Sequence, residues 1–361
     1  MNEPNFYQAL QQPIIGLSPM DGVTDLPFRE IAKKYGNPAV MYTEFSSVEG
    51  LCRGAKVLLK EFRFTNAQRP MVGQIYGTTP DYFRQGAILL CELGFDGVDI
   101  NMGCPAKNVA HSGAGAGLIR TPELAQQIIR ATKQGVTEWR NGATVKDCEG
   151  FTAEMLTMIK AQQDELQLLD AEGKVARRHI PVTVKTRIGF DSIVIKDWIK
   201  SLLEEEPEVI TVHGRTLRQL YTGEANWDAI ADAATVVHES KLPILIMGNG
   251  DIKSYADALQ KIANYKLDGA LIGRAAFGNP WVFLPESPEI SPHEKALVAM
   301  EHAELFEKTY GSDGNYNFLP MRKHLSWYTH GFPLAREVRM QLVLSKSSAE
   351  VKEIFQKFDL L

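Results

Sequence analysis

Gly97-Val-Asp-Ile-Asn-Met-Gly-Cys-Pro-Ala-Lys107 changes character half-way. The first half is apolar enough for a buried strand. Gly103 and Pro105 then end that strand in a tight turn around Cys104. A thiol held this way stands at a strand's C-terminal end, where a barrel of alternating strands and helices builds its active site. The next stretch, His111-Ser-Gly-Ala-Gly-Ala-Gly117, is glycine-rich, able to move or to approach a ligand closely. Inert packing is the ordinary expectation for a free cysteine. The flanking turn points instead to chemistry, as nucleophile or general acid.

The same unit recurs on both sides. Upstream, Ile14-Ile-Gly-Leu17, residues 39–43 and Met71-Val-Gly-Gln-Ile-Tyr76 read as three strands, each followed by a helix. Thr24 or Asp25 is placed to cap the first helix, with Pro27 in its first turn. Downstream, Pro181-Val-Thr-Val-Lys-Thr-Arg187, Val209-Ile-Thr-Val-His213, residues 243–247 and Asp268-Gly-Ala-Leu-Ile272 read as four more. Their nearly continuous apolar character belongs to parallel strands covered on both faces. Eight such units predict an α/β fold, a (β/α)8 TIM barrel; a doubly wound open sheet is the competing layout.

Two stretches break the rhythm. A helix over residues 122–134 is followed by a segment, residues 137–179, longer than an ordinary connection. Part of it has helical apolar spacing (Met155, Ile159, Leu166, Leu169), so it reads as an insertion, entering the fifth strand from the side away from the barrel mouth. It is expected to affect stability or partner contacts rather than chemistry. After Trp281 the strands stop, and Pro285, Pro288 and Pro292 mark a linker. Residues 1–286 are thus expected to form the barrel domain and residues 287–361 a small all-helical one.

The length of 361 residues suits this division, since a barrel alone takes about 250. Four scattered cysteines without a CxxC pair fit a reducing compartment and exclude a zinc ribbon or a disulfide framework, so no metal is expected. The start, Met1-Asn-Glu-Pro-Asn-Phe-Tyr-Gln8, lacks the basic and apolar regions of a secretory leader, and no apolar run nears the ~20 residues of a membrane span. A cytoplasmic monomer is the expectation. The net charge of −5 weighs mildly against nucleic acid. Locally the balance reverses: Arg322, Lys323, Arg336, Arg339 and Lys346 are accompanied by one acid, Glu337, and interleaved with Trp327 and Tyr328. Such a stretch suits a nucleic-acid backbone with exposed bases; core aromatics beneath a solvated helix face is the plainer alternative.

Polar residues that barrel packing does not need gather at the strand ends: Gln74, Asn101, Cys104, Lys185, Arg187, His213, Arg215, Asn249, Asp251 and Arg274. Each alone is more often a satisfied structural group than a catalyst. Two glycine-rich turns, Gly248-Asn-Gly-Asp251 and Gly273-Arg-Ala-Ala-Phe-Gly278, each predict a helix N-terminus able to bind phosphate, with Arg274 adding a charged contact. Lys185 at the centre of the mouth requires an anion. A reduced flavin supplies one, and FMN combines it with a phosphate; a salt bridge to Glu44 or Asp99 would also satisfy the lysine.

Taken together, Pro19-Met-Asp-Gly-Val-Thr-Asp-Leu-Pro-Phe-Arg29, Asp99-Ile-Asn-Met-Gly-Cys-Pro-Ala-Lys107, Ser112-Gly-Ala-Gly115, Val182-Thr-Val-Lys-Thr-Arg-Ile-Gly189, His213-Gly-Arg-Thr216, Gly248-Asn-Gly-Asp251 and Ile272-Gly-Arg274 resemble the signature set of the tRNA-dihydrouridine synthases. Lys323-His-Leu-Ser-Trp-Tyr328 resembles that family's helical tRNA-binding domain. The resemblance implies an FMN barrel that reduces the C5=C6 bond of particular uridines in tRNA, with NADPH, or NADH, as reductant. It implies Cys104 as the catalytic residue. Pro19, Met20 and Asp21 approach the flavin by their backbone, Gln74 and Lys185 contact its ring, and His213 lies beside it. Asn249, Gly250, Asp251, Gly273 and Arg274 hold its phosphate. Asn101, Arg187 and Arg215 are implied as contacts to uracil or cofactor, and Arg322, Lys323, Arg336 and Arg339 as tRNA contacts.

The implied chemistry constrains two side chains. Hydride addition at C6 leaves charge to be quenched by a proton at C5, so Cys104 should keep its proton and its pKa should not be strongly depressed. Asp21 stands where many members have another residue, and its carboxylate should turn away from a flavin ring. The rivals are an FMN barrel reducing a free pyrimidine, a non-catalytic RNA-binding barrel, and a phosphate-binding lyase barrel. The basic helical domain opposes the first, and yellow colour would exclude the other two.

Overall fold

The computed structural model describes residues 5–314 and 316–361. Residues 1–4, on which the leader reading partly rests, lie outside them. Eight parallel strands close into a barrel in chain order: β1 (Ile14–Leu17), β2 (Met41–Ser47), β3 (Met71–Tyr76), β4 (Gly97–Met102), β5 (Val182–Gly189), β6 (Val209–Thr216), β7 (Leu245–Asn249) and β8 (Gly269–Ile272). The helices are α1 (Phe6–Ala9), α2 (Leu26–Gly36), α3 (Val48–Leu51), α4 (Pro80–Glu92), α5 (Lys107–His111), α6 (Pro122–Arg140), α7 (Ala153–Glu165), α8 (Ile195–Leu203), α9 (Trp227–Ser240), α10 (Tyr255–Tyr265), α11 (Pro292–Tyr310), α12 (Leu319–Tyr328), α13 (Ala335–Leu342) and α14 (Ser348–Lys357). The barrel and its helical C-terminal region are those the strand pattern predicts. Among the described residues no helix is long and apolar enough to cross a membrane.

Alternation sorts the strand residues. Ile14, Val40, Tyr42, Val72, Val209, Met247 and Leu271 form a core of their own with Tyr7 of α1. The opposite strand faces pack against the surrounding helices in a larger core. β2, β5 and β6 run past their apolar stretches, because backbone pairing continues where side chains turn polar. Asn101 pairs with Lys185, Arg187 with His213, and His213 with Asn249. The register therefore sets these polar residues side by side at the C-terminal rim.

The helix expected after β2 is present but short. The β2–β3 connection holds α3, four residues long, and two 3-10 turns, Lys56–Phe62 and Asn66–Gln68. α7, from the segment after β4, packs there: Gln162 donates to the Phe62 carbonyl and Gln163 to the Glu92 carbonyl, each at 3.0 Å. Asn66 donates to the Leu166 carbonyl at 2.9 Å. Met155, Ile159 and Leu166 are buried with Phe62 and Phe64.

The C-terminal helices form a second core that includes Ile31 of α2. Asp25 caps α2 by accepting from Phe28 N at 2.9 Å, worth about 1 kcal/mol. Thr24, the other candidate cap, is bonded to Met20 instead. Lys34 and Tyr35 both bond Glu301 of α11, and Phe28 packs against His302 and His324.

Candidate active site

A cavity of about 670 Å³ opens at the C-terminal rim of the strands. Every barrel residue singled out above lines it: Pro19, Met20, Asp21, Gln74, Asn101, Cys104, Lys185, Arg187, His213, Arg215, Asn249, Gly250, Asp251, Gly273 and Arg274. Arg322, Lys323, Arg336 and Arg339 do not reach it.

Cys104 is 7% exposed and seated from two sides. Asn101 Oδ1 accepts from the Gly103 and Cys104 amides at 3.0 and 2.8 Å, fixing the turn. Gly115, at φ +56°, brings the next loop against it; a Cβ there would lie 3.1 Å from Cys104 Cβ. The glycine-rich stretch is thus packed on the thiol rather than open. Burial pushes the Cys104 thiol above its ordinary value; the Ala106 amide pulls it down, Asp21 pushes it up, and Arg187 and Lys185 pull it down. The direction is the one an acid requires. Asp21 itself is exposed and lines the cavity.

A buried chain of hydrogen bonds lies beneath. Asn101 Nδ2 donates to Gln74 Oε1 at 2.9 Å, and Gln74 Nε2 donates to Asp99 Oδ2 at 2.6 Å. Thr183 donates to the other Asp99 oxygen at 2.5 Å. Burial lifts Asp99 to about 6; Thr183, Gln74 and Lys185 hold it down. Neither carboxylate named as a partner for Lys185 bonds it, since Glu44 is taken by the Gly22 amide at 2.7 Å. Lys185 Nζ instead donates to Asn249 Oδ1 at 3.3 Å. Burial, with Arg187 nearby, lowers it to about 8.

The arginines serve the walls. Arg187 donates from Nε to the Gly103 carbonyl at 2.6 Å and from Nη1 to the Thr216 and Leu220 carbonyls. Arg215 holds the Thr222 and Gly223 carbonyls and lies 3.3 Å from His213 Nε2. An arginine can only donate, so Nε2 accepts and the imidazole proton sits on Nδ1. Burial, with four cations around it, keeps His213 well below its ordinary pKa and neutral at pH 7.

The two glycine turns differ from each other. The β7 turn leads to α10, capped by Ser254, whereas the β8 turn opens only a 3-10 turn, Arg274–Ala276, too short for an appreciable helix dipole. Asp251 accepts from Arg215 and Arg274, each at 2.6 Å, and from the Ala225 amide. Its carboxylate therefore organises cations; what it can offer a phosphate is its amide.

The dihydrouridine synthase (Dus) family model matches residues 16–147 and 158–360. A probable tRNA-dihydrouridine synthase of Staphylococcus epidermidis is 33% identical over 98% of this chain and 96% of its own length. Probable tRNA-dihydrouridine synthase 2 of Bacillus subtilis is 30% identical over 98% of this chain and 97% of its own. The chain belongs to the dihydrouridine synthase family. Among solved structures, morphinone reductase in complex with tetrahydroNAD is aligned over 76% of this chain and 85% of its own at 10% identity and a TM-score of 0.37, too weak a likeness to bear on the chemistry.

In this member of the dihydrouridine synthase family, Phe45 and Tyr221, not singled out from the sequence, also line the cavity. Phe45 lies within the part of β2 that outruns its apolar stretch. Tyr221 is 60% exposed with the Arg187 guanidinium 5.9 Å from its ring centre. An aromatic near the glycine of the loop Gln219-Leu-Tyr-Thr-Gly223 was the available signal.

Proposed function

We propose that this chain reduces the C5=C6 bond of uridine in tRNA, in the cytoplasm, with FMN as resident cofactor and NADPH or NADH as reductant. The observation that carries this reading is the convergence of Cys104, Lys185 and His213 on one cavity whose other charged walls are mainly cationic. Its volume lies in the range of ~300–1,000 Å³ typical of small-ligand sites. The donor set suits FMN. Lys185 is half-buried and bonds a neutral amide, with Asp99 acting on it only through space, so an anionic ring edge would supply a direct counter-charge. The amides of Gly250, Asp251 and Gly273, with Arg274, suit a phosphate. Gly250, at φ +127°, is a cradle only glycine fits: a Cβ there would lie 2.7 Å from Ala225 Cβ. Pro19, Met20 and Asp21 would meet the ring by backbone, and Gln74 and Asn249 would bound its polar edges.

Bound and reduced, FMN would supply a hydride at uracil C6. Cys104 then gives the proton on Sγ to C5. Its raised pKa keeps that proton in place at neutral pH, the state a general acid needs and a nucleophile does not. Neutral His213 adds no charge at the ring edge. Arg187 has committed Nε and Nη1 to carbonyls, which leaves Nη2 for a uracil oxygen, and Asn101 positions the thiol. The base must leave its stack to enter, at a few kcal/mol, which protein contacts to the tRNA phosphates would offset.

The test is incubation of the purified protein with unmodified tRNA, FMN and NADPH, read by mass spectrometry of nucleosides. Dihydrouridine in tRNA, and none from free uridine, is expected. A colourless protein that binds no added FMN and yields no dihydrouridine would overturn the reading.

A further inference from the structure

Lys323 stands in the basic helical stretch, where a phosphate contact is the natural expectation, yet its ammonium is committed to the barrel. Nζ of this α12 residue donates to the Gly22 carbonyl, in the loop between β1 and α2 that carries Pro19, Met20 and Asp21. The same residue is held from the other side, because Glu44 in the middle of β2 accepts from the Gly22 amide at 2.7 Å. Gly22 has φ +67°, a conformation that favours glycine, and a Cβ there would lie 3.3 Å from Lys323 Nζ. Inside the loop, Met20 N donates to Thr24 Oγ1, and the Val23 and Thr24 amides donate to the Met20 carbonyl. One ammonium and one carboxyl, from two regions of the chain, thus close a turn that forms part of the cavity wall.

α12 also touches the neighbouring loop of the mouth. Trp327 stacks on Phe277 at 4.0 Å and 12°, and Phe277 lines the cavity from the loop after β8. A Cβ at Gly278 would lie 2.4 Å from the Trp327 carbonyl carbon. The two loops on either side of the β1–β8 seam therefore rest on one helix of the C-terminal region.

We infer that Lys323 is not an RNA contact but a positioning residue, which clamps Gly22 together with Glu44 and so makes the helical region part of the cofactor-facing wall. Only the cofactor half of this inference rests on the flavin reading; the clamp itself does not. Lys323→Met removes the donor, and Lys323→Arg restores one. From the other side, Glu44→Leu removes the acceptor and Glu44→Gln keeps it.

The first measurement is amide hydrogen exchange over residues 20–24 in the full chain without FMN. Exchange should be roughly tenfold faster in Lys323→Met and near the parent rate in Lys323→Arg, the effect of one charged hydrogen bond. The second is FMN titration by fluorescence quenching together with the absorbance spectrum of the bound flavin. Affinity should fall about tenfold in Lys323→Met, with an altered spectrum, and recover in Lys323→Arg. The third is the slope of log Kd for tRNA against log salt, which should stay at the parent value. Unchanged exchange in both Lys323→Met and Glu44→Leu would overturn the clamp. A salt slope reduced by about one, with FMN affinity unchanged, would make Lys323 a phosphate contact after all. A parent protein that binds no FMN would defeat the flavin reading alone, leaving the exchange result to decide the clamp.

Discussion

A polar residue at the end of a barrel strand has one place to go, whereas a basic residue on a surface helix has several. All fifteen barrel residues singled out by sequence line one cavity. The four basic residues implied as tRNA contacts go four ways. Arg322 donates to the Ser345 and Leu344 carbonyls just beyond α13. Arg339 donates to Thr329 Oγ1 at 3.1 Å, Lys323 reaches the barrel, and Arg336 is exposed. Closure of the barrel converts position in sequence into position in space. Helix surfaces do not, and a guanidinium near a helix end finds carbonyls to satisfy.

The largest expected effect tests the barrel side. Cys104→Ala should slow reduction of bound tRNA by roughly 10²–10⁴-fold, the usual share of a general acid, measured by single-turnover formation of dihydrouridine. FMN affinity should remain. Full-speed turnover would end the claim that the mouth is organised around the thiol.

Next comes the charge at the centre of the mouth. Lys185 in the ligand-free protein is lowered to about 8, and an anion binds its protonated form. FMN affinity should therefore fall above about pH 8, by up to tenfold per unit. In Lys185→Met the affinity should be weak and that slope lost. A persistent slope would assign it to Glu44, which burial and neighbouring acids raise to about 8.

On the helical side the titratable groups are buried for packing. His302 is lowered to about 3 and His324 well below its ordinary range, both by burial. The unfolded chain then binds more protons than the native one below about pH 6.5, so stability declines as pH falls from there toward 3. The slope should reach about 1.4 kcal/mol per unit for each histidine. Thermal melts from pH 7 to 4 should show it, flattened in His302→Phe.

The smallest effects divide the arginines. Arg322→Ala should lower Tm by about 1–2 °C, as loss of about 1 kcal/mol does in a chain of this length, with the salt slope of tRNA binding little changed. Arg336→Ala should leave Tm alone and reduce that slope by about one. The reverse pattern would restore Arg322 as an RNA contact.

The barrel was legible because Val182-Thr-Val and Val209-Ile-Thr-Val are β-branched and nearly continuously apolar, a pattern that suits parallel strands buried on both faces. Strand ends were less so: β6 continues through His213 and Arg215 to Thr216, since pairing is a property of the backbone. The helix expected after β2 is present but only four residues long, and α7, from far along the chain, packs beside that connection, a tertiary fact no local window holds. Trp327 and Tyr328 looked available for bases, yet one stacks on Phe277 and the other is 3% exposed. Composition does not say which face of a helix an aromatic occupies. Asp251 was assigned by its place in a phosphate turn; only geometry reveals that its carboxylate is occupied by two guanidinium groups.

The borrowed helix also bears on how the protein is made. A ribosome delivers Phe62 and Phe64 about a hundred residues before the α7 segment that covers them, an interval of roughly 5–20 s at ordinary elongation rates. During that time Phe95 is the aromatic already made that can pack against both rings, and the side that α7 later covers stays open to water and to a holdase that favours aromatic stretches.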